Sequence, residues 1–217
     1  MATTVVNKYH KLPFDEYIGR GSKWGNPFSH MEGTKAKFKV ATREEAIQNY
    51  RQWILRQPEL LLSLHELKDK TLACFCKPAA CHGDVIVDLI ENTFFLVIAG
   101  SRDFDDYKLL KMKADKITRR IKKQIVVVSG TAKGADRLGE HYAKERGYDV
   151  AYFPADWNRY GKRAGMLRNR DMATLVKNLR GGVICFWDGS SPGTRGMINI
   201  CEELGVQLRV IKYPNYA

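Results

Sequence analysis

The sequence predicts an α/β protein, in which a Rossmann-like parallel sheet with helices on both faces is preceded by a small α+β domain. Two observations predict this fold class. From Phe94 onward, apolar runs alternate strictly with helical stretches, and each connection is long enough to cross over between parallel strands. The run 125–128 (IVVV) is β-branched without polar alternation, which is typical of a strand covered on both faces.

The charge is distributed unevenly over 217 residues, a length that suits two small domains or one large one. Residues 1–91 carry 13 Lys and Arg against 11 Asp and Glu, whereas residues 92–217 carry 23 against 13, within a formal net charge of +12. A basic excess attracts anions, from a nucleotide to a nucleic acid, and a solubilising surface is the alternative.

The sequence offers no membrane partner. No apolar run reaches spanning length, and residues 1–11 lack a signal-peptide core, so we expect a cytoplasmic protein. Three of the five cysteines crowd into one short stretch, Cys74, Cys76 and Cys81, which is poor geometry for a disulfide framework. We therefore expect reduced thiols.

The first part, residues 1–91, is predicted to be the small α+β domain. A capping box of Thr42 and Glu45 begins a helix, which Pro58 ends. After it we expect a helical stretch at 59–67, a strand at 71–75, and a helix with Gly83 and Asp84 in its first turn.

A glycine-rich loop, GRGSKWGNPF, carries cationic and aromatic side chains in this first part. Such a loop either grips a phosphate or stacks a base, or is a turn pinned by a buried tryptophan. The candidate N-terminal site comprises Arg20, Lys23, Trp24, Asn26, His82 and Asp84.

The segment CFCKPAACHGD combines side chains with zinc-ligand chemistry. Its C-x-C-x4-C-H spacing matches no paired-knuckle pattern, so we expect small buried residues and no metal. The alternatives are a polar cluster of His82 and Asp84 with a thiol, or a zinc site on Cys74, Cys76, Cys81 and His82.

In the second part, residues 92–217, the ligand of such a sheet is expected outside the carboxyl ends of the strands, where strand order reverses. Four loops lie at that edge: GSRDF, SGTAKGAD, PADWNRYGKRAGMLRNR and DGSSPGTRG. The glycine-flanked turn into the helix at Gly134 leaves backbone N–H groups that suit a phosphate, or merely makes a tight connection.

The predicted strands are 95–99, 125–128, 150–153, 183–187 and 208–211, and the helices are 105–122, 134–146, 163–176 and 195–204.

Read together, these loops resemble those of the SLOG superfamily, the Rossmann-like fold of the DNA-processing protein DprA and the Lonely-guy enzymes. The resemblance rests on IAGSRDF, VSGTAKGADRLGEHYAKERG, FPADWNRYGKRAGMLRNRDMA and FWDGSSPGTRGM, and the small stand-alone members match best. GRGSKWGNPF and LACFCKPAACHGD resemble an uncharacterised domain of phages and bacteria, which suggests a domain boundary near 91–94 and a mobile-element or phage-defence setting.

The resemblance implies a nucleotide-derived ligand, such as an ADP-ribose-like molecule or a cyclic nucleotide, bound for sensing, sequestration or processing. Backbone amides, hydroxyls, cations, a stacking ring and two carboxylates supply the expected contacts. The candidate ligand-binding residues are Gly100, Ser101, Arg102, Ser129, Gly130, Thr131, Lys133, Gly134, Asp136, Trp157, Arg168, Arg170, Asp188, Gly193, Thr194 and Arg195, with Tyr160 as a second stacking ring.

An enzyme is the alternative, either a nucleotide N-glycosidase or a base-transferring protein. The Lonely-guy enzymes carry a glutamate just after their GT turn, where this chain has Arg195, Gly196 and Met197. A catalytic carboxylate would then come from Asp103, Asp156, Asp171 or Asp188. DprA-like nucleic-acid binding is a second alternative, and the apolar helix faces serve either a homo-oligomer or the core.

Overall fold

A computed structural model describes residues 2–214, and the chain divides into two compact units, Met1–Asn92 and Thr93–Ala217. Among the described residues, no helix has both the length and the apolar content needed to cross a membrane.

The first unit is a small α+β domain. Its main sheet is parallel, with the order β1-β5-β2, and a separate pair joins β3 to β4. The strands are β1 (Thr4–Asn7), β2 (Glu16–Tyr17), β3 (Phe28–Ser29), β4 (Phe38–Lys39) and β5 (Thr71–Cys74). The helices are α1 (Arg43–Ile54), α2 (Pro58–Ser63) and α3 (His82–Glu91), with 3₁₀ turns at Lys8–His10 and Leu64–Leu67.

Capping explains where two of these helices begin. The Thr42 hydroxyl accepts a hydrogen bond from the Glu45 amide at 3.1 Å at the start of α1, as the capping box predicts. Asp84 receives the Cys81 amide at 2.9 Å at the start of α3. The segment predicted as one helical stretch at 59–67 is divided, because α2 ends at Ser63 and a 3₁₀ turn follows.

The second unit is a five-stranded parallel sheet with the order β10-β9-β6-β7-β8, which confirms the predicted Rossmann-like fold class. The strands are β6 (Thr93–Gly100), β7 (Gln124–Ser129), β8 (Asp149–Tyr152), β9 (Gly181–Trp187) and β10 (Leu208–Lys212). The helices are α4 (Tyr107–Thr118), α5 (Ala135–Arg146), α6 (Trp157–Tyr160), α7 (Ala164–Asn178) and α8 (Pro192–Leu204).

Both faces of the central strand β6 are covered. Leu96 and Ile98 pack in one cluster with Tyr142 of α5 and Leu110 of α4. Neighbouring residues of a strand point to opposite faces, and α7 and α8 pack against β6 and β9 on the other side. This two-sided burial explains the apolar runs without alternation.

The segment after β8 differs from the sequence prediction. Residues expected to form a loop include the short helix α6, because the Asp156 carboxylate caps it by accepting the Arg159 amide at 3.0 Å. A 3₁₀ turn at Gly161–Arg163 then leads into α7. Helix α8 likewise begins at Pro192, three residues before its predicted start, since proline is favoured in the first helical turn.

Candidate functional site

A cavity of about 650 Å³ lies at the carboxyl ends of β6 and β9. The chain leaves β6 toward β7 on one side and later returns to form β9 on the other, so the loops that follow these strands diverge at this point. The cavity volume is in the range of small-molecule sites. Of the residues selected from the sequence, those in its lining are Gly100, Ser101, Arg102, Asp136, Trp157, Arg168, Asp188, Gly193 and Thr194.

Seven other selected residues are not in that lining: Ser129, Gly130, Thr131, Lys133, Gly134, Arg170 and Arg195. Arg170 instead forms a two-pronged ion pair with Glu203 of α8, at 2.9 and 2.7 Å. The Arg195 guanidinium lies 5.3 Å from the centre of the Trp187 ring. The arginines expected to converge on one edge therefore divide between the cavity and partners outside it.

The sequence reasoning missed several lining residues, among them Lys162, Asn169, Ser190 and Ser191, and named Asp103 only as a candidate catalytic carboxylate. Each lies within one of the four loop segments singled out from the sequence. Their loops were recognisable, but which side chain of each loop enters the cavity depends on the local backbone path.

The glycine-rich turn after β7 holds a carboxylate of the protein itself. The Asp136 side chain accepts the Ala132 amide at 3.2 Å, and the nearby Gly130 amide also acts to lower its pKa. The Thr131 amide donates to the Ser129 hydroxyl at 3.0 Å. Two backbone donors of this turn, those of Thr131 and Ala132, are thus engaged internally.

Arg168 of α7 completes this arrangement. Its Nη1 donates to the Gly130 carbonyl oxygen and lies 3.4 Å from the Asp136 carboxylate, with both side chains nearly buried. A Cβ at position 130 would lie 1.7 Å from Nη1, so glycine is what admits the guanidinium. Burial raises the pKa of Asp136 to about 6, although Arg168 and the turn amides act in the opposite direction.

A second glycine brings two loops into contact. Gly134 has φ of 75°, and a Cβ there would lie 2.2 Å from the Ser101 carbonyl oxygen. The turn that precedes α5 therefore packs directly on the loop that follows β6. The Ser101 hydroxyl is buried in the cavity lining and has no well-aligned hydrogen-bond partner among the described residues.

The loop after β9 is fixed by Asp188. Its carboxylate accepts the Ser190 amide at 2.9 Å and the Ser191 amide at 2.8 Å, and the Ser191 bond is the main cause that lowers the pKa of Asp188. This loop directs the first turn of α8, with Gly193 and Thr194, into the lining. The positive end of the dipole of this 13-residue helix therefore faces the cavity.

Two exposed cations and one aromatic ring complete the lining. Neither Arg102 nor Lys162 has an ion-pair partner within the described part of the chain, residues 2–214. The Trp157 side chain is 49% exposed and offers a ring at the rim. Tyr160 does not line the cavity. The Arg159 guanidinium lies over the Tyr160 ring instead, 5.0 Å from the centre of that ring.

The carboxylates considered for catalysis occupy different places. Asp103 and Asp188 line the cavity, whereas Asp156 caps α6 and Asp171 lies outside the lining. Burial raises the pKa of Asp171. Among residues 2–214, Asp103 is the lining carboxylate without a hydrogen-bonded partner.

Another hollow, of about 390 Å³, lies beside α4 and the first halves of β9 and β10. Its floor is apolar, with Phe94 and Ile184, and Lys113, Lys116 and Arg120 surround it. It lies away from the carboxyl ends of the strands, where ligands of parallel sheets bind. The cavity between β6 and β9 is therefore the better candidate.

In the first unit, the candidate loop residues mostly make structural contacts. Trp24 is 1% exposed, and its carbonyl oxygen accepts the Tyr50 hydroxyl at 2.8 Å. Asn26 is buried and donates to the Ala46 carbonyl at 3.1 Å. A side chain as buried as Trp24 is not available to stack a base, so the geometry favours the interpretation as a pinned turn.

The remaining members of the candidate N-terminal site are also engaged. Arg20 donates to the Asn26 carbonyl at 3.3 Å, and Lys23 pairs with Glu66 at 2.8 Å. Asp84 pairs with Lys77 and receives the Cys81 amide.

Comparison with known proteins agrees with this division of the chain. Residues 4–92 match a domain of unknown function, DUF4326, and residues 95–160 match the YspA, cpYpsA-related SLOG family. An uncharacterized 12.4 kDa protein of the nrdA-td intergenic region in Enterobacteria phage T4 is 35% identical over 94 residues, which is 42% of this chain and 79% of that protein. The Gene 61 protein of Mycobacterium phage D29 is 33% identical over 117 residues, which is 51% of this chain and 90% of that protein.

Among solved structures, DNA processing protein A (DprA) from Streptococcus pneumoniae is similar, with a TM-score of 0.43 and 21% identity. The match covers 60% of this chain and about half of DprA, 54%. The family matches, the parallel sheet and its loop-lined edge lead to one assignment: the chain belongs to the DUF4326 family in its N-terminal domain and to the YspA, cpYpsA-related SLOG family in its C-terminal domain.

Proposed function

We propose that the C-terminal domain binds a nucleotide-derived small molecule, such as an ADP-ribose-like molecule or a cyclic nucleotide, in the cavity between β6 and β9. The observation that carries this proposal is the convergence, on one cavity of about 650 Å³, of the α8 N-terminus with an exposed indole ring and two cations that have no ion-pair partner among residues 2–214. An anion, a sugar and a base each find a matching group there.

The phosphate is expected near the first turn of α8. The amides of Gly193 and Thr194 face the cavity at the positive end of the helix, and Arg102 and Lys162 supply charge without an internal carboxylate to compete for them. The turn after β7 is a weaker candidate, because Asp136 already occupies its amides.

The base and sugar are expected toward Trp157. Its half-exposed ring offers a stacking surface, which tolerates any base. The unpartnered carboxylate of Asp103 and the Asn169 side chain can bond to ribose hydroxyls in the same lining. The phage origin of two relatives supports our further expectation that such a ligand acts in phage-host conflict.

Isothermal titration calorimetry of the full chain tests the proposal with ADP-ribose, AMP and cyclic AMP, and with inorganic phosphate as a fragment. We expect at least one nucleotide to bind at a single site, and Arg102→Ala to weaken it roughly 10- to 100-fold, the effect of losing a charged hydrogen bond. Lys133→Ala is the matched control, because that lysine lies outside the lining. Flat titrations for the whole panel, or equal losses in both variants, would contradict the proposal.

A nucleotide N-glycosidase is the second candidate, favoured by the carboxylate of Asp103 in the same cavity, which has no hydrogen-bond partner within the described part of the chain. Such a reaction needs a carboxylate to activate water or to stabilise an oxocarbenium-like centre. Chromatography of nucleotides incubated with the protein would then detect free base, and Asp103→Asn would abolish its release, whereas the asparagine side chain can still bond to ribose hydroxyls and is expected to retain measurable binding. Binding without release of base would leave the domain a binder.

A further inference from the structure

The cysteine-rich segment of the N-terminal domain forms a compact cluster that the proposed function does not use. Cys74 ends β5, Cys81 precedes α3 and His82 begins that helix. The two sulfur atoms and a ring nitrogen of His82 all lie within 4.8 Å of one another, and all three residues are buried. Residues 2–214 hold no other group of this kind.

The orientation of His82 matches that of a metal ligand. Its Nε2 lies 2.8 Å from the Ile18 carbonyl oxygen, which can only accept, so Nε2 carries the hydrogen. The Nδ1 atom therefore presents its lone pair toward the Cys74 sulfur, 3.9 Å away. In metal sites, the second ring nitrogen of a ligating histidine typically donates to a carbonyl or carboxylate in this way.

The spacing of these atoms is close to that of a tetrahedral zinc site. Bonds of about 2.3 Å to sulfur and about 2.0 Å to nitrogen place ligand atoms about 3.6 to 3.8 Å apart. The observed separations, 3.9 Å for Cys74 to His82 and at most 4.8 Å for the others, need to contract by about 1 Å or less.

Cys76 supplies a further candidate ligand, although it lies outside the group of three. It follows Cys74 by two residues, is exposed, and interacts electrostatically with the Cys74 thiol. Asn7 holds the backbone of this segment through the carbonyl oxygens of Phe75 and Lys77. Arg43 lies near Cys76, and its positive charge would offset the net negative charge that three thiolates leave on a zinc site.

We propose that Cys74, Cys76, Cys81 and His82 bind one zinc ion, which fastens the end of β5 to the start of α3. Thiolate and imidazole are the ligands that Zn²⁺ prefers in structural sites. The ion also satisfies the Nδ1 lone pair of His82, whose nearest partner is otherwise a weakly donating thiol. The C-x-C-x4-C-H order places two ligands at a strand end and two at a helix start, which no paired-knuckle spacing describes.

The test uses the full chain purified without chelators. Mass spectrometry of bound elements is expected to give one zinc per chain, and replacement by Co²⁺ is expected to give thiolate charge-transfer bands with intense tetrahedral d–d bands. Cys81→Ser removes a direct ligand and is expected to weaken zinc binding by more than the roughly 10- to 100-fold that typically follows the loss of a residue hydrogen-bonded to a ligand. Cys76→Ser removes the exposed ligand, leaves the three buried ones in place, and is expected to keep a weaker site with an altered cobalt spectrum.

Cys185→Ser and Cys201→Ser are the matched controls, because both thiols are buried in the other domain. They are expected to leave zinc content unchanged. If Cys81→Ser does not fold, the stoichiometry and cobalt spectrum of the wild-type protein still decide. Metal-free protein that gives only the weak bands of hydrated Co²⁺, or zinc that both Cys81→Ser and Cys76→Ser retain in full, would overturn the proposal. Neither result depends on nucleotide binding, so the two proposals fail separately.

Discussion

Replacing Arg168 by methionine isolates the charge pair at the turn after β7. The Arg168 side chain is 11% exposed and its partner Asp136 is 5% exposed, so the pair lies almost entirely out of water. Methionine keeps much of the apolar volume and removes the charge. Asp136 would then keep its amide donors but lose its positive neighbour.

The size of the effect follows from the pKa of Asp136. The pKa of Asp136 rises from 3.8 to about 6 on folding. Ionising this carboxyl therefore costs about 3 kcal/mol more in the folded protein than in the unfolded chain, even with Arg168 present. Without Arg168 that pKa rises further, because the arginine charge lowers it. Breaking a buried pair by removing one partner typically costs about 3 to 5 kcal/mol, which we expect for Arg168→Met at pH 8.

The sign of the pH dependence is fixed by the same shift. Because the folded pKa of Asp136 lies above the unfolded value, the folded state binds its proton more tightly. The free energy of unfolding of the wild type therefore falls as pH rises from about 4 to about 6, as far as this group contributes. In Arg168→Met this fall is expected to be larger and to continue above pH 6. At pH 5 the carboxyl is largely protonated, and the loss is expected to shrink to about 1 to 2 kcal/mol.

The measurement is urea unfolding at pH 5 and pH 8, monitored by hydrogen exchange of peptides from β7. This readout gives the free energy of unfolding of the C-terminal domain separately from the rest of the chain. Arg170→Met is the matched control, two residues along the same helix, because its ion pair with Glu203 is exposed. Exposed pairs contribute at most about 1 kcal/mol, so this control is expected to change little at either pH. Equal losses for Arg168→Met at the two pH values, or a loss no larger than that of the control, would refute the reasoning.

Three further substitutions test the backbone and the packing by thermal and urea unfolding. Gly134→Ala is expected to cost about 1 to 3 kcal/mol or more, since the residue has positive φ and its Cβ would collide with the Ser101 carbonyl; an unchanged melting temperature would contradict this. Tyr142→Phe removes a buried hydroxyl that donates to Asp115 at 2.9 Å and is expected to lower the unfolding free energy by about 1 to 3 kcal/mol. Thr42→Ala removes the α1 cap and is expected to cost about 1 kcal/mol, while Thr42→Ser should restore most of it.

The fold was predictable because its signals are local. The apolar run of β7 and the capping box at Thr42 each act through neighbours in sequence, and both elements occur where expected. The helix α6 was missed although Asp156 is a favoured capping residue, because four helical residues give no periodicity to detect. Pro192 carried the signal for the earlier start of α8.

The candidate site was predictable only as far as its loops. Arg168 and Arg170 stand two residues apart on α7, yet one enters the cavity and the other pairs with Glu203 across helices. That difference depends on the position of each side chain around the helix and on the space left by Gly130, which is distant in sequence. The cysteine cluster shows the same limit, because the Ile18 carbonyl that orients His82 is 64 residues away.

The loops after β7 and β9 share a physical property that their sequences predict. Their sequences do not show which anion occupies each loop. Successive backbone N–H groups create an anion site in each loop, as the pattern predicts. In both loops the anion is a carboxylate of the chain: Asp136 takes the amide of Ala132, and Asp188 takes those of Ser190 and Ser191. A ligand phosphate must therefore compete with these carboxylates or bind beside them. The positive groups that can bind it without such competition are the N-terminus of α8 and the cations Arg102 and Lys162.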